Sequence, residues 1–401
     1  LLAPLLQHRL MSDAPLIPLF DVKLEQAHLD AVADTLRSGW LTMGPRTQEF
    51  EQVFAEHLGA KHAIALANCT AALHLAYLAA GVGPGDEVIV PPITFVATAA
   101  AARYCGAEPV FADIKGNHDL GIDPEDVARK LTPRTKAVCA VHYGGYAADL
   151  EALRALCDDA GIALIEDSAH SPSATPVGDS RKLGTHGLAG CFSFFSNKVL
   201  SCGEGGLLST DDDDVAATVR SLRSHALTSG TWDRHRGHAH GYDVVGLGYN
   251  YRMDEPRAAL LTARMADLEA DIARRRELVH RYRERLADLD GVAVPYEDAE
   301  VDVSSCYVMP VIVDDHELRD PLRAFMLEER KVQTSVLYPA LHELTAYTDR
   351  ASELPRSEFV GRAELTLPLF PTLTEDDQDR VVASLADGVR NLTRAGAATG
   401  G

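Results

Sequence analysis

Short apolar runs alternate with helical patterns between about residues 58 and 210, and this alternation constrains the fold more than any other feature of the chain. The runs predicted as strands are 88–90, 109–113, 137–141 and 163–167. They are apolar without strict alternation, which is typical of strands that are buried on both faces of a sheet. Because strands that alternate with helices join by right-handed crossovers, we predict an α/β fold with a mainly parallel sheet.

The second half of the chain has a different pattern, which predicts a smaller α+β domain. A helical pattern runs from 254 to about 286, strands are predicted near 307–309 and 311–313, and a last helix follows Thr374. The spacing of Thr374 and Asp377 resembles a capping box. We predict a large domain at 17–248 and a small C-terminal domain at 249–401 that includes the long linking helix. Residues 1–16 are expected to be a tag, an upstream extension or a flexible N-terminus, and not a signal peptide.

The composition excludes several classes of partner. The net charge of −21 argues against a nucleic-acid backbone as the main partner, since such binding needs clustered Lys and Arg. Seven cysteines are scattered without any C-x-x-C pair, as expected of reduced thiols in a cytoplasmic protein. No run approaches the roughly 20 apolar residues of a membrane span. We therefore expect neither a nucleic-acid nor a membrane partner.

The run of four aspartates at 211–214 has a structural interpretation. Thr210 is predicted to cap a helix at 215–223, whose dipole is complemented by acidic residues in the first turn. The alternative is a metal site. We favour the helix start and expect no bound metal.

Lys198 lies in the most informative segment for chemistry. Residues 193–198 read Ser-Phe-Phe-Ser-Asn-Lys, and a hydroxyl- and glycine-rich stretch follows to residue 206. An ammonium is poorly solvated in such surroundings, and a neutral lysine amine can attack a carbonyl to form a Schiff base. The alternative interpretation is a solvated lysine on a surface turn.

Two further residues fall where a doubly wound sheet binds its ligands, beyond the carboxyl ends of the strands. Asp167 ends the predicted strand 163–167, and its carboxylate could hydrogen-bond the protonated ring nitrogen of a cofactor. The alternative is a strand-end aspartate that caps a turn. Phe95 follows the predicted strand 88–90 and could stack on a flat ring, although core packing is an equally open interpretation.

Residues 68–75 are predicted to be a turn that leads into a helix. Free backbone N–H groups and the positive end of the helix dipole suit a phosphate there, and the Thr70 hydroxyl is a further donor. An ordinary helix cap is the alternative.

The segment 220–240 is rich in Arg and His within an acidic chain, and includes Arg234 and His235. This positive charge could attract an anionic substrate such as a sugar diphosphate. A zinc site is the alternative, but no Cys or acid completes a recognisable ligand spacing.

Taken together, these segments resemble the DegT/StrS-type sugar aminotransferases, a fold-type I family that depends on pyridoxal phosphate. The resemblance runs from about residue 17 to the last helix. It is carried by six motifs, at 68–75, 85–91, 166–170, 193–198, 248–253 and 338–342. It implies a mainly parallel central sheet flanked by helices, with a cofactor-binding large domain.

The resemblance also implies roles for individual residues. Lys198 would form the Schiff base and shuttle the proton, Asp167 would pair with the pyridine nitrogen, His170 would lie near the ring hydroxyl, and Phe95 would stack on the ring. The phosphate would be held by Thr70, Ser193 and the backbone of Ala71. Asn250 would reach the cofactor of a neighbouring subunit, which implies a homodimer with shared sites. Positions matching the substrate cleft are Tyr251, Arg252, Tyr338 and His342, and Arg234 and His235 of the basic segment are further candidates for substrate binding.

This chain departs from the family pattern at two positions. Cys69 replaces a small Gly or Ser, and is compact enough to fit. His170 stands where many members have Gln, and either side chain can hydrogen-bond the ring hydroxyl. Relatives that act as dehydratases have His in place of the lysine, so the presence of Lys198 disfavours that activity.

The implied reaction transfers an amino group from L-glutamate, through pyridoxamine phosphate, to a nucleotide-linked keto sugar. The resemblance of 231–238 to loops of certain members favours C4 of a 4-keto-6-deoxysugar, with dTDP as the expected nucleotide. The alternatives are C3 of a 3-keto sugar or a keto-inositol. The product would enter antibiotic or surface-glycan assembly. A non-catalytic regulatory protein with the same fold is a further alternative, disfavoured by the set of Lys198, Asp167 and Ser193.

Overall fold

The computed structural model describes residues 15–229, 241–348 and 353–399, with the backbone alone at 395–399. Helices in this part of the chain are α1 (Gln26–Arg37), α2 (Pro45–Leu58), α3 (Cys69–Ala79), α4 (Ala97–Tyr104), α5 (Pro124–Lys130), α6 (Leu150–Ala160), α7 (Asp213–Leu222), α8 (Glu255–Arg264), α9 (Leu268–Leu286), α10 (Asp298–Val301), α11 (Arg319–Glu328), α12 (Pro355–Ala363) and α13 (Glu375–Thr399). Strands are β1 (His62–Leu66), β2 (Glu87–Val90), β3 (Glu108–Phe111), β4 (Thr135–Val141), β5 (Ala163–Asp167), β6 (Ala189–Ser193), β7 (Gly206–Thr210), β8 (Val292–Ala293), β9 (Met309–Val313) and β10 (Glu364–Leu367).

Seven strands form the central sheet, in the order β1-β7-β6-β5-β4-β2-β3. The neighbours from β6 to β3 are parallel, whereas β7 is antiparallel to both β6 and β1. Most strand residues are buried because helices cover the sheet, which explains the continuous apolar runs in the sequence. The predicted mainly parallel α/β sheet is confirmed.

The register of the sheet brings distant parts of the chain to one edge. Asp167, the last residue of β5, is opposite Val141 on one side and Cys191 on the other. Gly206 at the start of β7 pairs with both Leu66 and Ser193, the last residues of β1 and β6. The carboxyl ends of β1, β4, β5 and β6 therefore lie together, and the start of α3 follows β1 directly.

A second sheet has three antiparallel strands in the order β10-β9-β8, and confirms the smaller α+β part of the fold. The N-terminal segment pairs with the residues after α11, since Ile17 exchanges backbone hydrogen bonds of 2.9 Å with Lys331 and Gln333. The domain boundaries at 248 and 249 stay a prediction.

Helix α2 is held by a residue far away in the chain. The buried Glu255 carboxylate at the start of α8 accepts hydrogen bonds of 2.8–2.9 Å from the backbone N–H groups of Gly44, Arg46 and Thr47. The Thr47 hydroxyl donates a fourth, at 2.7 Å. A carboxylate at a helix N-terminus satisfies unpaired donors and complements the dipole.

Three local predictions are wrong. The strands predicted near 307–309 and 311–313 are one strand, β9, which begins at Met309, so Tyr307 and Val308 precede it. The pattern at 254–286 divides into α8 and α9, because the N–H groups of residues 266–268 bond three residues back and tighten the chain there. Helix α7 is capped by Asp212, whose carboxylate accepts from the N–H groups of Asp214 and Val215. Thr210 ends β7 instead, and its hydroxyl donates to the Leu188 carbonyl at 2.7 Å.

The start of α13 matches the sequence interpretation. Thr374 and Asp377 exchange hydrogen bonds of 2.9 and 3.1 Å at the start of α13, as the capping spacing predicts. Among the described residues, no helix is long and apolar enough to cross a membrane.

Candidate active site

A cavity of about 530 Å³ opens at the edge of the central sheet where β5 and β6 end. One wall consists of the start of α3 and the segment 193–198. Other parts of the wall are formed by 335–338, by Thr366 and Leu367 of β10, and by the N-terminal residues Leu19 and Phe20. Of the residues proposed from the sequence, Thr70, Phe95, Asp167, His170, Ser193, Lys198 and Tyr338 line this cavity.

Lys198 is half-buried in the cavity, so the alternative of a solvated surface turn is not what the structure shows. Burial lowers the pKa of its amine to about 8, although the negative charge of Asp167 opposes this shift. About a tenth of an amine with that pKa is neutral at pH 7, against roughly one part in several thousand for an ordinary lysine. The amine is therefore suited to nucleophilic attack and to proton transfer.

Asp167 is buried at the end of β5. The Thr98 hydroxyl donates to its Oδ2 at 2.8 Å, and the backbone N–H of Ala169 donates to its Oδ1 at 3.2 Å. Burial raises the pKa of the carboxyl, while these hydrogen bonds and the charge of Lys198 act in the opposite direction. A cationic partner would favour the ionised form further.

His170 is fixed by hydrogen bonds at both ring nitrogens. The Gly144 backbone N–H donates to Nδ1 at 3.1 Å, so the ring hydrogen is on Nε2 and is donated to the Tyr338 hydroxyl at 2.9 Å. Burial, followed by the charge of Lys198, lowers the pKa of the imidazole well below its usual value. His170 is therefore a neutral side chain with one defined tautomer.

Several groups near the start of α3 could hold a phosphate. Asn68 caps α3, and its carboxamide oxygen accepts from the Ala71 N–H at 2.8 Å, so that backbone donor already has a partner. Thr70 and Ser193 place hydroxyls on the cavity wall. Gly206 allows the close approach of these segments, since a side-chain Cβ there would lie 2.2 Å from the Asn68 carbonyl carbon.

Phe95 presents an aromatic face to the cavity. Its side chain is 56% exposed, and its ring centroid lies 6.2 Å from that of Tyr338. The alternative of core packing is therefore wrong, because a core phenylalanine would be covered on both faces.

Other proposed substrate residues lie elsewhere. Tyr251 stacks on Tyr249 with centroids 5.0 Å apart, and Arg252 donates to the Ser224 hydroxyl at 3.2 Å. His342 is buried beside Glu358 at 3.3 Å. Among the described residues, these three do not line the cavity.

Asn250 is exposed and also lies outside the cavity of its own chain. Arg234 and His235 lie outside the described residues. Within the described ranges, no group of three or more His, Cys, Asp or Glu could hold a metal ion.

Two residues at the site were not predicted from the sequence. Thr98 contacts Asp167 from α4, and the ring of Tyr307 lies against both Lys198 and His170. Tyr307 was interpreted only as part of a strand. Its link to a lysine 109 positions earlier in the chain depends on tertiary structure.

The donor set fits pyridoxal phosphate. The cavity brings together an amine of lowered pKa, a carboxylate that can pair with a ring nitrogen, and an open aromatic face. It also has a helix N-terminus with hydroxyl groups, which suits a phosphate. Fold and site together define the class of pyridoxal-phosphate-dependent aminotransferases.

The family follows from comparison with known proteins. The profile of the DegT/DnrJ/EryC1/StrS aminotransferase family matches residues 22–386, and the chain belongs to this family. It is 37% identical over 371 residues to the spore coat polysaccharide biosynthesis protein SpsC of Bacillus subtilis, covering 90% of this chain and 94% of SpsC.

Two solved structures agree with this assignment. DesI, determined in the presence of its TDP-sugar product, is 33% identical with a TM-score of 0.84, and the match covers 96% of each chain. NtdA of Bacillus subtilis, with bound pyridoxamine phosphate, is 28% identical with a TM-score of 0.83, covering 94% of this chain and 86% of NtdA. The protein is a sugar aminotransferase that uses pyridoxal phosphate.

Proposed function

We propose that this enzyme transfers an amino group from L-glutamate to C4 of a dTDP-linked 4-keto-6-deoxysugar, giving 2-oxoglutarate and an aminodeoxysugar. The observation that carries the aminotransfer is the Lys198 amine of lowered pKa beside Asp167 in one cavity. A TDP-sugar acceptor is supported by the product present with DesI. The choice of C4 rests on the similarity of 231–238 to loops of other members.

The cofactor supplies a carbonyl that takes up the amino group and a ring that withdraws electrons from the carbon that loses its proton. Lys198 acts as the base that removes this proton and as the acid that returns it on the acceptor side. An amine with a pKa of about 8 can do both near neutral pH, since both protonation states are populated.

The surrounding residues position the reactants. Asp167, held by the Thr98 hydroxyl, keeps a negative charge where a protonated ring nitrogen can pair with it. His170 and Phe95 would flank the ring, and Thr70 and Ser193 would contribute hydroxyls to the phosphate. The apolar wall around Leu19, Phe20, Leu337 and Leu369 can receive the methyl group of a deoxysugar.

The activity is tested with the full-length protein, pyridoxal phosphate, L-glutamate and a panel of nucleotide keto sugars. We expect 2-oxoglutarate and an amine at C4, whose position and stereochemistry are read by NMR. Lys198→Ala should reduce turnover by about 10³-fold or more, whereas the exposed Lys136→Ala serves as the matched control. Full activity of Lys198→Ala would refute the assigned role, and exclusive use of a 3-keto sugar or a keto-inositol would refute the C4 position.

We also propose a homodimer in which Asn250 completes the site of the partner. Asn250 is exposed and follows the segment 241–247, in which Tyr242, Val244, Val245 and Leu247 have solvent-exposed apolar side chains. Exposed apolar patches of this kind mark interaction surfaces.

Mixing two inactive variants tests the shared site. When Lys198→Ala and Asn250→Ala proteins are unfolded and refolded together, half of the dimers are hybrids and each hybrid has one intact site. Activity should therefore recover to about a quarter of the wild-type value. No recovery, despite hybrids seen by native mass spectrometry, would show that each site is built from one chain.

A further inference from the structure

The ring of Tyr307 contacts two side chains of the candidate site, Lys198 and His170. Lys198 Nζ is 4.2 Å from the ring centroid, in the geometry of a cation–π contact. The His170 imidazole stacks on the Tyr307 ring, with the ring centroids 4.3 Å apart and an interplanar angle of 28°. Tyr307 is 6% exposed, so this contact is largely desolvated.

The backbone around Tyr307 is fixed by hydrogen bonds and carries local strain. The Tyr307 N–H donates to the Gly144 carbonyl at 2.8 Å, and its carbonyl accepts from the buried Arg275 guanidinium at 3.3 Å. The preceding residue, Cys306, is buried with a φ of 45°, a conformation that non-glycine residues rarely adopt. Strained residues persist where the surrounding structure holds them in place, often near functional sites.

We propose that Tyr307 is a positioning residue for Lys198: its ring face receives the Lys198 amine whenever that amine is not bonded to the cofactor. The inference rests on the proposed role of Lys198 as the cofactor-binding lysine. Lysine has a flexible four-carbon stem. Without a fixed contact, the released amine would sample positions from which it cannot reach the reacting carbon.

The contact also affects the charge of Lys198. Burial and the charge of Asp167 act in opposite directions on its pKa. Cys69 is neutral beside them, because burial raises the pKa of its thiol well above the usual value. His170 faces the same amine from the loop after β5 and is neutral, and Glu204 lines the cavity from the segment after Lys198. The ring face of Tyr307 favours the ammonium form, because the ring quadrupole attracts a cation.

The test measures the titration of Lys198 itself. Full-length protein, both without cofactor and loaded with pyridoxamine phosphate, is exposed briefly to acetic anhydride across a pH series. Acetylation of the Lys198 peptide is then quantified by mass spectrometry. Tyr307→Leu should shift the midpoint down by about one pH unit, since the ammonium loses its aromatic partner. Tyr307→Phe keeps the ring and should leave the midpoint within a few tenths of a unit of the wild type.

The direction of the shift separates the proposal from a general loosening of the cavity, which would admit water and raise the midpoint. Replacing Tyr307 by pentafluorophenylalanine keeps a ring of similar shape with a reversed quadrupole, and should lower the midpoint even if Tyr307→Leu does not fold. An unchanged or raised midpoint in the folded variants would overturn the proposal. These outcomes do not depend on the sugar or on the amino donor, so an error in the proposed substrates leaves the test intact.

Discussion

A buried carboxyl group in the wall of the active-site cavity should make stability depend on pH. Glu364, at the start of β10, is 1% exposed, and burial raises its pKa to about 7. The backbone N–H of Leu337 donates to its Oε2 at 2.8 Å, and the Thr366 hydroxyl donates to Oε1. Both donors belong to residues that line the cavity, so Glu364 supports the wall that carries Tyr338.

The sign and the size of the effect follow from the two pKa values. Between the ordinary value of 4.5 and about 7, folded protein holds a proton on Glu364 that unfolded protein releases. The free energy of unfolding therefore falls as pH rises through this range and is flat above it. The full shift corresponds to about 3 kcal/mol, of which about 2 kcal/mol falls between pH 5.5 and 8.

The change Glu364→Gln isolates this contribution, because a carboxamide mimics the protonated acid and cannot titrate. Urea unfolding of both proteins at pH 5.5 and 8, at equal protein concentration, gives the difference in unfolding free energy. Relative to the wild type, the Gln variant should be about 2 kcal/mol more stable at pH 8 than it is at pH 5.5. The exposed Glu329→Gln controls for loss of a charge. A difference that is the same at both pH values would refute the assignment of a protonated Glu364.

Three further predictions concern individual hydrogen bonds. Thr98→Val removes the donor to Asp167 and should weaken pyridoxal phosphate binding about 10-fold in equilibrium dialysis. Thr98→Ser should retain affinity, and equal losses in both variants would contradict this. Glu255→Ala leaves the start of α2 without its cap and should lower the free energy of unfolding by about 3 kcal/mol in urea titration; a loss below about 1 kcal/mol would count against it. Tyr338→Phe leaves the His170 N–H without its partner and should lower kcat/KM about 10-fold in steady-state assays, whereas an unchanged value would contradict the prediction.

The parts of the fold that could be predicted from the sequence are those with a local signal. The run 163–167 coincides with β5, and the run 137–141 lies within β4. The strands β1, β6 and β7 were not predicted. Each has five residues, and β6 and β7 contain glycine and serine, which weaken an apolar pattern.

The residues of the candidate site also divide into those with a local sequence signal and those without one. Lys198 and Asp167 could be proposed because each lies in a short segment whose residue types suggest a chemical role. Tyr307 and Glu364 could not, since their importance comes from partners on other elements of the fold. Nothing in the local sequence distinguishes a tyrosine that contacts a reactive amine from one in a hydrophobic core.

The tautomer of His170 links these contacts into one electrostatic arrangement. A charged imidazole stacked on Tyr307 would compete with Lys198 for the same ring and would repel the ammonium. The Gly144 N–H prevents this, because it occupies Nδ1 as an acceptor and so favours the neutral ring. With His170 neutral, the Lys198 ammonium has two favourable partners in the cavity, the Asp167 carboxylate and the aromatic face of Tyr307. Burial therefore lowers the pKa of the free Lys198 amine only to about 8, a value at which both protonation states are populated near neutral pH.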